Sequence, residues 1–242
     1  MNSADVWRSA ARTDPGKVRA RNEDAFLEVP EQGVWAVADG MGGHQGGDIA
    51  SQLIVSSLAQ VPWQGGFDER LKALRLCLHW INRRLGQELT VNAARPDNVM
   101  GSTVVALLIE GKRAACVWAG DSRCYLWRKQ RLYQLSRDHT LLQQLIEKQQ
   151  MSVEEASAHP AARALTRAIG ATAELRLGVL ELDVYPGDAF LLCSDGLYQE
   201  LSSDALGDAL GLASPQVALQ CLFDGALSGA ARDNLAAVVI QQ

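Results

Sequence analysis

The chain has little that would staple it, anchor it or charge it strongly. Its five cysteines, Cys77, Cys116, Cys124, Cys193 and Cys221, are scattered in apolar runs with no C-x-x-C pair. An odd set of this kind is neither a disulfide framework nor a zinc site, and it reads as buried free thiols. Histidine is scarce too: His44, His79, His139 and His159 lie far apart, with no H-x-x-x-H spacing. No window reaches ~18 apolar residues without a charge, so no membrane span is expected. Met1 to Arg12 carries Asp5, Arg8 and Arg12 and no apolar block, which argues against a signal peptide. Together these absences point to a soluble, cytoplasmic protein. Basic residues are outnumbered, with 23 Lys+Arg against 28 Asp+Glu for a formal charge of −5. That balance disfavours nucleic-acid binding. The 21 Gly and 7 Pro in 242 residues are near average usage, which excludes collagen-like and low-complexity classes. With no repeat and no linker-like stretch, a single domain over residues 1–242 is expected, long enough to bury a sizeable core.

Short apolar runs with flanking Gly and Asp predict strands at Val34–Ala38, Val104–Ile109, Ala114–Ala119, Cys124–Trp127, Ala189–Cys193 and Leu235–Ile240. Phe67, Leu71, Leu74, Leu78, Ile81, Leu85 and Leu89 recur at steps of three and four, one apolar stripe on a long helix. Arg70, Lys72, Arg75 and Arg83 fall off that stripe. A shorter helix fits Asp48–Ala59, with Ile49, Leu53, Ile54 and Leu58 inward. Ser214-Pro215 predicts an N-cap and N1 proline, and Ser152-x-x-Glu155 has capping-box spacing, so Thr140–Ala158 reads as two short helices. Strands follow strands through turn-length connections rather than alternating with helices. The fold class is therefore α+β with largely antiparallel sheet.

Carboxylates stand where these runs stop or start: Asp39, Asp121, Asp195 and Asp233, with Glu23-Asp24 just before Ala25-Phe26-Leu27. Any one of them is readily explained as a turn former or helix cap. As a set, acids at corresponding strand ends of a sheet sandwich would converge and repel unless a cation neutralises them. Hard divalent ions such as Mg²⁺ or Mn²⁺ suit such oxygen donors. Asp39 opens a loop, Gly40-Met41-Gly42-Gly43-His44-Gln45-Gly46-Gly47, in which backbone can approach a ligand closely. It does not match G-x-x-x-x-G-K-[ST], so it is not a nucleotide P-loop.

These blocks resemble one family. Arg19-Ala20-Arg21-Asn22-Glu23-Asp24 and Val37-Ala38-Asp39-Gly40-Met41-Gly42-Gly43-His44 resemble the PPM/PP2C metal-dependent protein serine/threonine phosphatases in their bacterial form. The likeness continues in order through Gly101-Ser102-Thr103, Gly120-Asp121-Ser122-Arg123, Ser136-Arg137-Asp138-His139, Leu165–Gly170, Ser194-Asp195-Gly196-Leu197 and Arg232-Asp233-Asn234. The resemblance implies an α-β-β-α sandwich of two antiparallel sheets flanked by helices, and two Mn²⁺ or Mg²⁺ ions with a third, weaker one. It implies that Asp39 bridges two ions, that the Gly40 carbonyl holds the first, and that Asp195 and Asp233 hold the second. Glu23 would contact the shell, and Asp121 would help Asp195 hold the third ion. Arg19, four residues before Glu23, falls where the family grips phosphate, a task that suits a planar guanidinium.

The implied reaction is attack of a metal-activated water on phosphoserine or phosphothreonine of a protein, with no phosphoenzyme. The implied partners are phosphorylated proteins and a cognate bacterial Ser/Thr kinase system, met by a monomer. Met41 stands where animal members carry a proposed general-acid histidine; His44, three residues on, is read as either an acid or a loop residue. Residues 137–170 correspond to the family's variable flap, with Leu165–Gly170 read as structural. Two other readings compete: a catalytically silent phosphoprotein-binding module of the same fold, disfavoured by survival of all these acids and of Arg19, and a calcineurin-like phosphatase. The latter lacks its D-x-H and G-N-H blocks.

Overall fold

A computed structural model describes residues 7–42, 46–89 and 100–242. One sheet runs in the order β1 (Arg8–Asp14), β11 (Leu235–Gln241), β10 (Ala189–Cys193), β7 (Arg123–Arg128) and β8 (Arg131–Gln134). The other runs β2 (Asp24–Val29), β3 (Val34–Met41), β5 (Val104–Glu110), β6 (Arg113–Ala119) and β9 (Gly178–Asp183), and short β4 (Gly101–Ser102) pairs with the end of β3. All these pairings are antiparallel.

The apolar strands are continuous because both of their faces are covered. Trp35 and Val37 of β3 point between the sheets, where they join Phe190, Leu192, Val238 and Ile240. Val34, Ala36 and Ala38, alternating with them, face α1 (Gly47–Ala59) and α2 (Phe67–Arg83). On the opposite side Leu191, Cys193, Ala237 and Val239 pack under the short α5 (Asp195–Tyr198), α6 (Ser203–Leu210) and α7 (Pro215–Ser228). Period-two alternation in the strands thus generates four layers, helices–sheet–sheet–helices. Polar ties also cross between the sheets: the buried Trp35 indole donates to Ser9 Oγ at 2.9 Å, and that hydroxyl donates to Glu28 at 2.6 Å.

The expected helices form. α2 carries the predicted stripe and continues through a π-helical turn, Arg84–Leu89. Thr140 and Ser152 cap α3 (Leu141–Gln149) and α4 (Val153–Ser157), and Ser214 caps α7 ahead of its N1 proline. Three expectations need correction. Ile49 is exposed, not inward: α1 buries Ala50, Ile54, Val55 and Leu58, and Ile49 lies one 100° step off that stripe. Arg70 is buried, because it joins Phe67 and Leu74 on the inward face of α2. Its guanidinium donates through Nη2 to the Gln32 carbonyl and lies 3.6 Å from Glu110, while its Nε is buried without a hydrogen-bond partner among the described residues. Cys116, Cys124 and Cys193 are buried as expected, but Cys77 is half-buried and Cys221 is exposed on the outer side of α7.

Candidate metal centre and active site

In antiparallel sheets the ends and starts of neighbouring strands alternate along one edge. Here that edge collects the end of β3 with Asp39, the start of β2 with Asp24, the turn after β6 with Asp121, the second residue after β10, Asp195, and the approach to β11 with Asp233. Asp24 and Asp39 are directly opposed across β2 and β3. A cavity of about 350 Å³ opens there, lined by Arg19, Glu23, Asp39, Gly40, Asp121, Asp195 and Asp233 with Thr103, Arg163 and Asn234. The structure therefore brings together every sequence-predicted site residue except His44, which lies outside the described residues.

Hydrogen bonds fix the frame. Asp39 is held through its backbone: its N–H donates to Thr103 Oγ1, and its carbonyl accepts from Thr103 N at 2.8 Å and Ser102 Oγ at 2.9 Å. The Gly-Ser-Thr block thus fastens β3 where it reaches the cavity. Gly40 donates to the Glu23 carbonyl, and a Cβ there would collide with the Gly47 and Glu23 carbonyls, so only glycine fits. Asn234 is a staple that sequence reasoning missed. Its Oδ1 accepts from Glu23 N at 2.8 Å, while its Nδ2 donates to the carbonyls of Pro15 and Arg21 at 3.0 and 2.9 Å. One amide thereby pins the whole loop bearing Arg19 and Glu23. Arg123 supports the Asp121 turn, clasping Asp138 through two nitrogens at 2.9 and 2.7 Å while stacking over Tyr198. The Tyr198 hydroxyl in turn donates to the Asp121 carbonyl.

The electrostatics are lopsided. Burial, followed by repulsion from Asp24, Asp195, Asp121 and Asp233, holds the Asp39 carboxyl well above the usual carboxylate range. Burial pushes Asp24 up to about 7, against a stabilising 2.6 Å bond from Ser194 Oγ. Asp121 also rises to about 7, through burial and then the charge of Asp195. Asp195 is raised by burial and by Asp233, and Glu23 by burial and then Asp48. Asp24 Oδ1 is buried with no hydrogen-bond partner. Arg19 approaches from the rim and pairs with Asp233 at 2.7 Å. A cluster of this kind lacks positive charge.

The donor set is carboxylate and carbonyl oxygen with no sulfur, and it fits a hard divalent ion. Among the described residues no three acidic, His or Cys side chains close into a cage of their own. Ions there would draw on the Gly40 carbonyl and on water as well, as Mg²⁺ characteristically does.

The chain has relatives of known structure. The family description Protein phosphatase 2C matches residues 17–221. The chain belongs to the protein phosphatase 2C family. Among solved structures, PppA, described as a key regulatory component of T6SS in Pseudomonas aeruginosa, is 41% identical with a TM-score of 0.89 over 99% of both chains. The catalytic domain of the phosphatase PstP, solved with two manganese ions, is 34% identical with a TM-score of 0.85 over 98% of both chains. PstP of Mycobacterium tuberculosis is 36% identical over 97% of this chain, which spans 45% of that protein's length. The serine/threonine phosphatase Stp of Listeria welshimeri is 33% identical over 82% of this chain and 81% of its own. The two-sheet PP2C sandwich expected from the sequence is the fold observed, and no described helix is long and apolar enough to cross a membrane.

Proposed function

We propose that this PP2C chain hydrolyses phosphoserine and phosphothreonine in proteins at a binuclear Mn²⁺ or Mg²⁺ centre. The observation that carries this reading is the gathering of Asp39, Asp121, Asp195 and Asp233 in one cavity with a guanidinium at its rim. Asp39 would be shared between two ions, the first also taking the Gly40 carbonyl and the second taking Asp195 and Asp233. Glu23 would hold water at their edge, and Asp121 with Asp195 would hold a weaker third ion. When bound, such ions offset phosphoryl charge and make a water acidic enough to attack near neutral pH. Arg19 binds and orients the phosphate through its planar fork. Asn234 keeps Arg19 and Glu23 in register with Asp233, its neighbour in sequence. No side-chain nucleophile is required, and the cysteines take no part.

Residues 1–242 act as one domain and as a monomer in the cytoplasm, opposing a Ser/Thr kinase on shared phosphoprotein targets. The likeness to PppA, a key regulatory component of T6SS in Pseudomonas aeruginosa, supports a regulatory role. The test is turnover of p-nitrophenyl phosphate and a phosphothreonine peptide with Mn²⁺ and with EDTA. Metal-dependent release of phosphate is expected, whereas well-folded protein inert with Mn²⁺ would favour the silent phosphoprotein-binding module. Sedimentation checks the monomer, and a phosphoproteome comparison of deletion and wild-type cells checks the kinase pairing.

A further inference from the structure

The acidic cavity does not close on its flap side. It shares Asp121, Arg163 and Asp195 with a second hollow of about 230 Å³, whose wall includes Leu142, Ala162 and Tyr198. Arg163 is a cation on this shared rim, carried by the flap segment that follows α4. Its Nη1 donates to Gln199 Oε1 at 2.9 Å, and Gln199 Nε2 donates to Asp195 Oδ2 at 2.6 Å. One amide serves both neighbours, its oxygen facing the cation and its nitrogen facing the acid. Gln199 is thus a seat that holds the flap's guanidinium beside the centre.

The other cations of the two hollows are already committed. Arg19 pairs with Asp233, and Arg123 is clasped to Asp138. Among the described residues Arg163 hydrogen-bonds only the neutral Gln199, while Asp195 draws it through longer-range attraction. Once an ion neutralises Asp195, the charge of Arg163 faces the second hollow without a carboxylate partner. Consecutive residues of an extended peptide are about 3.3–3.6 Å apart, so a phosphoresidue in one hollow places its neighbour at this rim.

We propose that Arg163 is a specificity-determining residue that reads an acidic side chain, Asp or Glu, flanking the phosphorylated residue of the substrate. The inference rests on the phosphatase reading and names the substrate class for that same site. A guanidinium suits the task because its fork matches a carboxylate bidentately.

The test uses three phosphothreonine peptides that differ only in one flanking residue, Glu, Ala or Lys. Each is turned over with Mn²⁺ by the wild-type protein, Arg163→Ala and Arg163→Lys. The wild type should prefer Glu over Ala by about three- to fivefold in kcat/KM, the scale of a partly exposed ion pair, with Lys last. Arg163→Ala should bring the Glu/Ala ratio to about one, and Arg163→Lys should restore part of it. An unchanged ratio in Arg163→Ala would overturn the inference. An equal loss on all three peptides would overturn it too, since Arg163 would then touch the phosphate itself. If folded wild-type protein turned over none of the peptides, the phosphatase reading would fail first and carry the inference with it.

Discussion

At the scale of single residues, the cavity is a place where acids cost stability and supply function. Asp39→Asn should remove nearly all Mn²⁺-dependent turnover of p-nitrophenyl phosphate while circular dichroism stays native. It should also raise the melting temperature of the chelated protein, because burial and repulsion by four neighbouring acids weigh on the native carboxylate. Retention of most activity would contradict a bridging role. Arg19→Ala should raise KM for a phosphopeptide several-fold with a smaller change in kcat, as loss of a phosphate contact predicts. An unchanged KM would remove Arg19 from that contact. Asp39, Asp121, Asp195 and Asp233 were legible in the sequence because each interrupts an apolar run. Asn234 and Gln199 were not, because their value depends on partners far along the chain: the Asn234 side chain meets Glu23, 211 positions away. The buried Asp24 was visible as a neighbour of Glu23, but nothing local announced that its partner would be Ser194.

At the scale of elements, burial decides what could be read. β3, β5, β6, β7, β10 and β11 appeared as apolar runs because they lie inside their sheets and are covered on both faces. β1, β8 and β9 are edge strands, rich in polar residues such as Arg8, Arg131 and Glu181, and they carry no comparable signal. α2 was legible by its period, though its one inward arginine was not. Leu78 sits at the middle of the α2 stripe with no solvent exposure. Leu78→Ala should cost about 2–5 kcal/mol in urea unfolding, since the sheet beneath is poorly able to collapse into the space. A cost below 1 kcal/mol would mean that α2 is only loosely docked.

At the scale of the whole molecule, the layer count was not in the periodicities; only the family resemblance supplied it. The convergence of acids makes the ion-free fold sensitive to pH in a definite direction. Asp24 and Asp121 are pushed to about 7 in the native state, above the ordinary carboxylate range. The folded chain therefore holds protons that the unfolded chain has already released. The stability this confers is complete below about pH 4 and is lost as pH rises through about 7. In EDTA the protein should melt several degrees lower at pH 8 than at pH 5.5, at about 2–4 °C per kcal/mol for a chain of this length. With Mn²⁺ the order should reverse, because cations favour the ionised acids. An EDTA melt that is higher at pH 8 would show that the cluster is not strained by its charge.

The position of β11 has one more consequence. This strand is inserted between β1 and β10, and the residue two places before it is Asp233. β1 finds its partner only when β11 is present, a pairing between strands far apart along the chain that raises contact order and slows folding. A copy without residues 233–241 would lack both the middle of a sheet and one wall of the cavity. One segment therefore completes both the sheet and the acidic cavity, so neither is whole without the other.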